Sequence, residues 1–551
     1  MAVGGGCRRA ALVNQRGHTM NLAAAISDWR TALGAERVLE ETAAQETYGR
    51  CTSGARRRLA GAVRARAADD VATVVSIAAR HGVPIYPIST GNNWGYGTSL
   101  PARDDCVVLD LSALDRIVAF EPGTGIVTVE PGVTQQQLAD FLDAGDHPFL
   151  VPVSGAGPTC SILGNAVERG YGITPQADHF GAVMAIEAVL ADGRVYRSAL
   201  AEADGADVDD AFKWGIGPYL DGLFTQSAMG VVTRMSIALA RRPDAVRAFF
   251  FGLPNAADLG HLVERVREVI ARYPGVVGGV NLMNARRVLS MSIPYPRDRL
   301  GADGLIPDAL IDELGRANQV MAWTGFGTLY GSRGVVRAAQ REIRAVLRPY
   351  AKRLVYISPF SARWLARVGR HLPGFLKARV GRSLEVLETS IELVAGRPNE
   401  TAMPLCYWIG DQAPRAPGPL DPARDGCGVA WYAPLIPMRA ERVQAYVAMV
   451  EKVMREHGLE PLITLTSLSE RCFDSTIPLL FDLDDAASTA NAQACRRALL
   501  EAGRAQGFLP YRVGIDTMDW LVRDDATCWQ MVRDIKQALD PGHIIAPGRY
   551  V

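Results

Sequence analysis

The sequence lacks any run of about 18 consecutive apolar residues, so it offers no candidate membrane-spanning helix. It also lacks a C-x-x-C pair. Its nine cysteines are scattered, which argues against a disulfide framework and against a zinc site. Neither charge sign is in excess, because 59 basic side chains balance 59 acidic ones, whereas nucleic-acid-binding domains usually carry a basic surplus. We therefore expect a cytoplasmic protein with no membrane segment, no nucleic-acid partner and no metal.

The length and composition are those of a large globular enzyme. The chain has 551 residues, of which 48% are hydrophobic and 21% charged, so a sizeable core can form. Three or four domains, or two large ones, are compatible with this length. Residues 1–19 resemble an appended leader, and we expect them to lie outside the fold.

Hydrophobic patterning predicts an α+β fold. Apolar spacing predicts helices over 22–33, 68–81 and 486–506, and Thr134 with Gln137 forms a capping-box signal. Asp192-Gly193 predicts a hairpin. From residue 246 to 504 predicted strands, among them 429–437, alternate with predicted helices, which suggests a second α+β domain. The residues from 505 onward read as strand-like and turn-rich.

Three segments contain candidate functional residues. The first, "STGNNWGYG" at 89–97, follows a strand, and its glycines allow close approach of the backbone to an anion such as a pyrophosphate. A glycine-rich surface turn is the alternative. The second, 155–172, opens like a dinucleotide motif but has Cys160 at the third position, so a nicotinamide site is disfavoured. In the third, "PQADHF", Asp178 is either a catalytic or a solvated carboxylate.

Six sequence blocks together resemble the vanillyl-alcohol oxidase and p-cresol methylhydroxylase family. The blocks are "PIYPISTGNNWGYG", "EPGVTQQQL", "LGNAVERGYGITPQADHF", "GPYLDGLFTQSAMGVVT", "PYRVGIDTMD" and "LDPGHIIAPGR". This resemblance implies an FAD-binding domain of the methylhydroxylase type with an α+β cap domain over the isoalloxazine. We expect the FAD-binding domain to comprise 20–245 and 505–551, and the cap domain 246–504.

The resemblance also implies which residues bind FAD. They belong to the glycine-rich loop, the segment after residue 157, the strand near 230 and the tail: Ser89, Thr90, Gly91, Asn92, Asn93, Gly95, Pro158, Thr159, Gly164, Asn165, Glu168, Arg169, Gly172, Gly230, Val232 and Arg549.

By the same resemblance, Tyr96, Tyr511 and Arg512 bind the oxygen of a phenol. Two hydroxyl groups and a guanidinium can donate to one oxygen and stabilise it as a phenolate. Hydride transfer from the para benzylic carbon to flavin N5 then leaves a p-quinone methide, which adds water or becomes a carbonyl compound. Asp178 matches the family aspartate near N5, where it assists proton movement. Packing aromatics and a surface arginine are the alternative interpretation.

Two departures from the family pattern bear on the cofactor and the substrate. Val429 stands where the alcohol oxidase branch has the histidine that tethers the flavin, so we expect non-covalent FAD. Pro510 replaces a carboxylate before the Tyr-Arg pair. The para substituent is therefore left open among vanillyl alcohol, a propenylphenol, an alkylphenol and a lignan unit.

Two other functions share this fold: oxidation of a lactone, sugar or hydroxy acid, and a flavin-binding subunit without turnover of its own. The electron acceptor is oxygen or a redox partner such as a cytochrome. Since the chain has no C-x-x-C-H motif, any haem would sit on another protein. Family members often form dimers, so a homodimer is one expected assembly.

Overall fold

The computed structural model describes residues 20–371, 374–410 and 413–551, so the expected leader lies outside the described residues. The fold is α+β, as the sequence predicts. Two sheets are built from strands that precede residue 239, and a seven-stranded sheet is built from strands between residues 245 and 474. Within the described ranges, no helix is both long and apolar enough to cross a bilayer.

The first sheet has four strands, and its edge positions the glycine-rich loop. In spatial order they are Val38–Glu40, Leu59–Arg64, Cys106–Asp110 and Ile85–Ile88. The last three run parallel, and the first pair is antiparallel. Helices Leu22–Leu33 and Ala68–His81 share a core with this sheet, and Glu41–Tyr48 packs beside it. The first two helices begin and end where the sequence predicts.

The second sheet is antiparallel and five-stranded. Its order is Ile117–Glu121, Ile126–Val129, Val231–Ala238, Val183–Val189 and Val195–Tyr196, the last two forming the predicted hairpin. Helices Gln135–Ala144 and Ile162–Val167 contribute to its core. The capping box is confirmed, because Gln137 N donates to Thr134 Oγ1 at 3.1 Å and Thr134 N donates to Gln137 Oε1 at 2.8 Å. Phe149–Leu150 and Ala240–Arg241 form a short ribbon beside it.

The seven-stranded sheet forms the other half of the molecule. Its order is Lys352–Ile357, Ala245–Leu253, Trp323–Gly331, Val277–Asn284, Thr464–Ser467, Cys472–Asp474 and Leu435–Pro437. One large core holds helices Leu259–Arg272, Arg333–Leu347, Ala440–Glu456 and Ala486–Gln506, of which the last has the predicted bounds. Four further helices contribute to smaller cores beside it: Ala285–Ser292, Asp308–Asn318, Pro359–Arg370 and Gly374–Val394.

Two details of the sequence-based elements are wrong. The segment 429–437, expected as one strand, is divided between Cys427–Tyr432, which pairs with Ile477–Asp482, and Leu435–Pro437 in the larger sheet. Pro434 stands at the break, where a residue without an N–H group cannot continue a ladder. The described residues from 505 onward contain no strand. Instead they form helices Met518–Leu521 and Thr527–Leu539, because the apolar residues of the second recur at helical spacing.

The C-terminal tail returns to the first two sheets. Ile85 N donates to Ile544 O at 2.7 Å, and Ala546 N donates to Ile85 O at 2.8 Å. The fully buried Lys536 donates to Asp540 and to the carbonyls of Ala228 and Ile545. A buried ammonium needs this degree of pairing to offset its lost hydration. The tail is therefore an integral part of the N-terminal half.

Candidate active site

A large cavity lies where the N-terminal half, the tail and the seven-stranded sheet meet. Its volume is about 1120 Å³, and its walls include the loop after strand Ile85–Ile88, residues 153–173 and the tail residues Tyr511, Arg512 and Arg549. Pockets for one small ligand usually occupy roughly 300–1,000 Å³. This cavity is therefore large enough for an extended cofactor together with a substrate.

The glycine-rich loop forms one wall and is fixed against the other half of the molecule. Gly95 has φ +78°, and a Cβ atom there would lie 2.1 Å from Cδ1 of Trp431. Trp431 Nε1 donates to Trp94 O at 3.0 Å. Gly91 also has a positive φ, and its missing side chain leaves space for Ser99. Only glycine satisfies both requirements at position 95, so the turn approaches the cavity as bare backbone.

Most of the residues expected to bind FAD line this cavity: Ser89, Thr90, Gly91, Asn92, Asn93, Gly164, Asn165, Glu168, Gly172, Gly230, Val232 and Arg549. Four lie behind the wall, namely Gly95, Pro158, Thr159 and Arg169. Of these, Thr159 accepts from Asn92 Nδ2 at 2.7 Å, and Arg169 Nη2 donates to Thr225 at 2.9 Å. This lining fits a dinucleotide. Backbone N–H groups of the loop would hold its pyrophosphate, and Arg549 adds a buried positive charge.

Tyr96, Tyr511 and Arg512, here called the anion-binding cluster, converge on the same cavity although Tyr96 is far from the others in sequence. The Arg512 guanidinium lies 4.3 Å from the centroid of the Tyr96 ring. Neither tyrosine hydroxyl has a hydrogen-bond partner among the described residues. Burial raises the pKa of both tyrosines above the ordinary value, so both are protonated donors at neutral pH.

Glu168 holds two of the arginines that line the cavity. It pairs with Arg549, and one of its carboxylate oxygens lies 3.2 Å from Arg512 Nε. Although burial alone would raise the pKa of Glu168, the two guanidinium groups lower it below the ordinary value. Arg549 Nη1 also donates to the Tyr86 hydroxyl at 3.0 Å, and Arg512 donates to Asn93. Two cations and one anion leave a net positive charge, which favours an anionic ligand.

The structure does not bring Asp178 into this arrangement. Asp178 is exposed, its Oδ1 accepts from Gly181 N at 2.8 Å, and it is not part of the described cavity lining. The structure therefore places Asp178 at a surface turn outside the described cavity lining, and its role near flavin N5 stays a prediction.

Asp474 is a cavity carboxylate that the sequence did not reveal. It ends strand Cys472–Asp474 and is 5% exposed. Thr476 Oγ1 donates to its Oδ2 at 3.0 Å, while Oδ1 is buried without a partner. Burial raises its pKa to about 7. The one available sequence signal was its residue type, since aspartate is depleted in strands and an exception suggests a special role.

Asp474 belongs to a polar row that crosses the large sheet. Asn281 is opposite Thr466, and Thr466 is opposite Asp474, and all three line the cavity. In the neighbouring row, Met283 is opposite Thr464. Asp474 also raises the pKa of Tyr96 and Tyr511 through its charge, which places it near the anion-binding cluster.

Comparison with known proteins agrees with this fold and cavity. Residues 59–199 match the family model described as "FAD binding domain". The chain is 34% identical over 538 residues to the 1'-carboxy-chondrochloren decarboxylase of Chondromyces crocatus, covering 97% of this chain and 98% of the relative. It is 27% identical over 530 residues to the 4-cresol dehydrogenase [hydroxylating] flavoprotein subunit of Pseudomonas putida, with 95% and 94% covered.

Among solved structures, p-cresol methylhydroxylase with substrate bound superposes with a TM-score of 0.84 at 27% identity, and each chain is covered to 98%. Fold, cavity and relatives define an FAD-dependent oxidoreductase with an FAD-binding domain of the methylhydroxylase type. The chain belongs to the vanillyl-alcohol oxidase and p-cresol methylhydroxylase family, as its sequence blocks predict.

Proposed function

We propose that the protein oxidises a 4-substituted phenol at the para benzylic carbon. The observation that carries this proposal is the convergence of Tyr96, Tyr511 and Arg512 on one cavity wall. Two neutral hydroxyl donors and a fixed cation suit a single phenolate oxygen. A lactone or a sugar would give this cluster no anionic oxygen to bind, and the carboxylate of a hydroxy acid divides its charge between two oxygens.

The cluster favours the phenolate over the phenol. Its net positive charge, with Arg549 and Glu168 included, lowers the pKa of a bound phenol, while the protonated tyrosines donate to the resulting oxygen anion. The electron pair of the phenolate oxygen can then move into the ring and weaken the benzylic C–H bond. When bound, FAD supplies the two-electron oxidant that accepts the hydride.

Asp474 is the proposed proton acceptor. Its unpartnered Oδ1 and its pKa of about 7 suit a general base at neutral pH. It accepts either the phenolic proton or the proton of the water that adds to the p-quinone methide. The substrate loses a hydride and a proton, and the added water supplies the oxygen of the product alcohol. If the substrate is already an alcohol, loss of its hydroxyl proton gives the carbonyl compound.

A second candidate is oxidative decarboxylation, favoured by the relative at 34% identity, which is a decarboxylase. In a p-quinone methide, the side-chain carbon bonded to the exocyclic methide carbon can carry a carboxylate, and this carboxylate can leave as CO2. The electron pair of the broken C–C bond forms a new C=C bond, and the ring regains its aromatic phenolate. The same cluster serves both reactions, because the phenolate oxygen supplies electrons when the hydride leaves and receives them again when CO2 leaves.

We further propose non-covalent FAD and a division into an FAD-binding domain (20–245 with 505–551) and a cap domain (246–504). Val429, at the position of the family's tethering histidine, is a fully buried strand residue that cannot form such a link. The electron acceptor is either oxygen or a redox partner protein. The relative from Pseudomonas putida, a flavoprotein subunit, keeps the second alternative open.

Anaerobic flavin reduction tests the function directly. The holoenzyme is mixed with a panel of 4-alkylphenols, 4-hydroxybenzyl alcohols and 4-hydroxyphenyl carboxylic acids, and air is then admitted. Bleaching of the flavin by phenols, but not by their O-methyl ethers, supports the proposal. Absence of bleaching across the panel contradicts it. Reoxidation in air identifies oxygen as an acceptor, and release of CO2 identifies decarboxylation.

A further inference from the structure

Two adjacent arginines in helix Ala285–Ser292 have opposite environments. The helix begins directly after strand Val277–Asn284, and Asn284 caps it by accepting from Arg287 N at 3.0 Å. Arg286 is 4% exposed and donates to Glu460, Asp308 and the carbonyl of Ile306. Its charge is therefore fully compensated within the protein.

Arg287 has no such compensation. Its Nη1 donates only to Ser290 Oγ at 3.3 Å, and its other two guanidinium nitrogens have no partner among the described residues. In the part of the chain that the structure describes, no carboxylate pairs with it, and its ionisable neighbour there, Cys406, is a thiol whose pKa burial raises to about 12. Burial lowers the pKa of Arg287 to about 10, so it is a cation at neutral pH. Its side chain lines the cavity.

This position is unfavourable for a lone cation on two grounds. Removal from water costs free energy that an unpaired guanidinium does not recover. The first turn of a helix also carries positive partial charge, which favours anions and opposes cations. Both costs are offset when an anion enters the cavity and takes the free guanidinium donors, and a carboxylate can take two of them in parallel.

Arg287 is separated along the chain from the polar row of Asp474. That row contains Asn281, three residues before the end of strand Val277–Asn284, and Arg287 lies in the first turn of the helix that follows. Strand residues advance by about 3.3 Å each, so the two positions are several ångströms apart. Apolar side chains, among them Val288, Met291 and Val320, also line the cavity. A ligand that contacts both positions therefore meets donors for a phenolate beside Asp474, apolar side chains of the wall, and a cation at Arg287.

We propose that Arg287 forms a carboxylate-binding subsite, so that the substrate is a 4-substituted phenol whose para side chain ends in a carboxylate. This inference rests on the proposed function for its phenolic end only. The carboxylate is bound whether it is later retained or lost as CO2, since recognition precedes the chemical step. Arg286 has no part in the subsite, because its donors are already occupied.

The test compares matched probes on the holoenzyme: 4-alkylphenols, and ω-(4-hydroxyphenyl)alkanoates of the same chain length, over a series of lengths. Apparent Kd values come from the concentration dependence of anaerobic flavin reduction. We expect the carboxylate probe of optimal length to bind roughly 10- to 100-fold more tightly than its neutral partner. Arg287→Met should abolish this preference and leave the neutral probes unchanged.

Two further variants separate recognition from general effects on the cavity. Arg287→Lys retains the positive charge but lacks the planar guanidinium that donates two parallel hydrogen bonds. It should therefore show part of the carboxylate preference that Arg287→Met loses. Met291→Leu alters the same wall without charge and should affect both probe classes equally. Equal binding of both classes at every length, or a preserved preference in Arg287→Met, overturns the inference.

Failure of the proposed function has a different signature, because then no probe reduces the flavin. Calorimetric titration of the same probe pairs into wild type and Arg287→Lys still measures the subsite. A carboxylate preference without reduction supports the subsite and contradicts phenol oxidation. Flavin reduction without a carboxylate preference supports phenol oxidation and contradicts the subsite.

Discussion

The guanidinium of Arg512 lies over the ring of Tyr96, 4.3 Å from its centroid, and joins the C-terminal tail to the glycine-rich loop. Ile515 N reinforces this contact by donating to Tyr96 O at 2.9 Å. A cation placed over an aromatic face is stabilised by the ring, and the stacking also orients its remaining donors. The position of Arg512, the cation proposed to bind the phenolate, thus depends on a residue from the other end of the chain.

We expect Arg512→Met to slow flavin reduction by 4-alkylphenols by about 10²- to 10³-fold, the usual effect of removing one oxyanion donor. The cause is loss of the charge that stabilises the phenolate, so the effect should shrink at high pH, where the phenol ionises unaided. Stopped-flow absorbance across a pH series measures the rate of flavin reduction and how the effect of the substitution changes with pH. Arg512→Lys should retain part of the rate, and equal rates in wild type and Arg512→Met would contradict a phenolate site.

Asp474→Asn should remove a pH dependence centred near 7. In wild type the reduction rate should rise with pH through the pKa of about 7, because Asp474 accepts a proton only when ionised. The variant should be slower and nearly independent of pH in this interval. Asp178→Asn is the matched control, since Asp178 is exposed and outside the described cavity wall. A pH profile altered by Asp178→Asn but not by Asp474→Asn would reverse the assignment.

The raised pKa of Asp474 also predicts an effect on stability. Because the folded-state pKa lies above that of the unfolded chain, stability from this group is full below about 4 and declines as pH rises towards 7. Asp474→Asn should therefore melt at a higher temperature relative to wild type at pH 8 than at pH 5. Thermal unfolding followed by circular dichroism, with flavin present in excess, measures this difference. A difference in melting temperature between variant and wild type that is the same at pH 5 and at pH 8 contradicts this prediction.

Glu168→Gln should destabilise the protein by about 3 kcal/mol, since it leaves two buried guanidinium groups without their shared anion. The pKa of Glu168 is lowered in the folded state, so its contribution is full above about 4.5 and is lost as pH falls below that value. The difference in Tm between wild type and variant should therefore narrow under acid conditions. Glu130→Gln is the control. It breaks an ion pair with the exposed Arg116, so we expect a smaller loss of stability.

Gly95→Ala should weaken FAD binding as well as stability. The new methyl group would meet the Trp431 ring at 2.1 Å, and the positive φ adds about 1 kcal/mol of strain. Gly82→Ala separates these effects, because Gly82 also has a positive φ but open space around its missing Cβ. Fluorescence of released flavin, measured during dilution, should show faster loss for Gly95→Ala alone. Equal retention in both variants would indicate that the loop tolerates the clash by moving.

Precipitation with acid should release yellow FAD into the supernatant. No histidine occupies position 429, and the valine there is fully buried in its strand. Absorbance of the supernatant and of the redissolved pellet measures the partition. Flavin that stays with the polypeptide through precipitation and denaturing electrophoresis would show a covalent link at another residue.

Local signals account for the parts of the fold that the sequence predicts well. The Thr134–Gln137 box and the hairpin at Asp192-Gly193 each depend on a few neighbouring residues, and both are present. The loop at 89–97 was recognisable because its glycines are required by the backbone itself. By contrast, the prediction of a strand-like tail is wrong. Turn residues flank the segment 527–539, and its apolar residues recur at the spacing of a helix.

The site residues that the sequence missed are defined by distant partners. Arg286 and Arg287 are identical in type and adjacent, and the paired arginine is distinguished by partners distant in sequence, among them Glu460, 174 positions away. Asp474 acquires its raised pKa from burial at the end of a strand whose neighbour is fixed by sheet register. Asp178, which the sequence motif singles out, is exposed and outside the described cavity lining, and its catalytic role stays a prediction.

The attachment of the tail to strand Ile85–Ile88 constrains the order in which the protein can mature. Ile544, Ala546 and Arg549 complete a wall whose other residues are translated hundreds of codons earlier. Until these residues are synthesised, the N-terminal half lacks this part of the wall and the cation that accompanies it. We therefore expect stable flavin binding to follow synthesis of the tail.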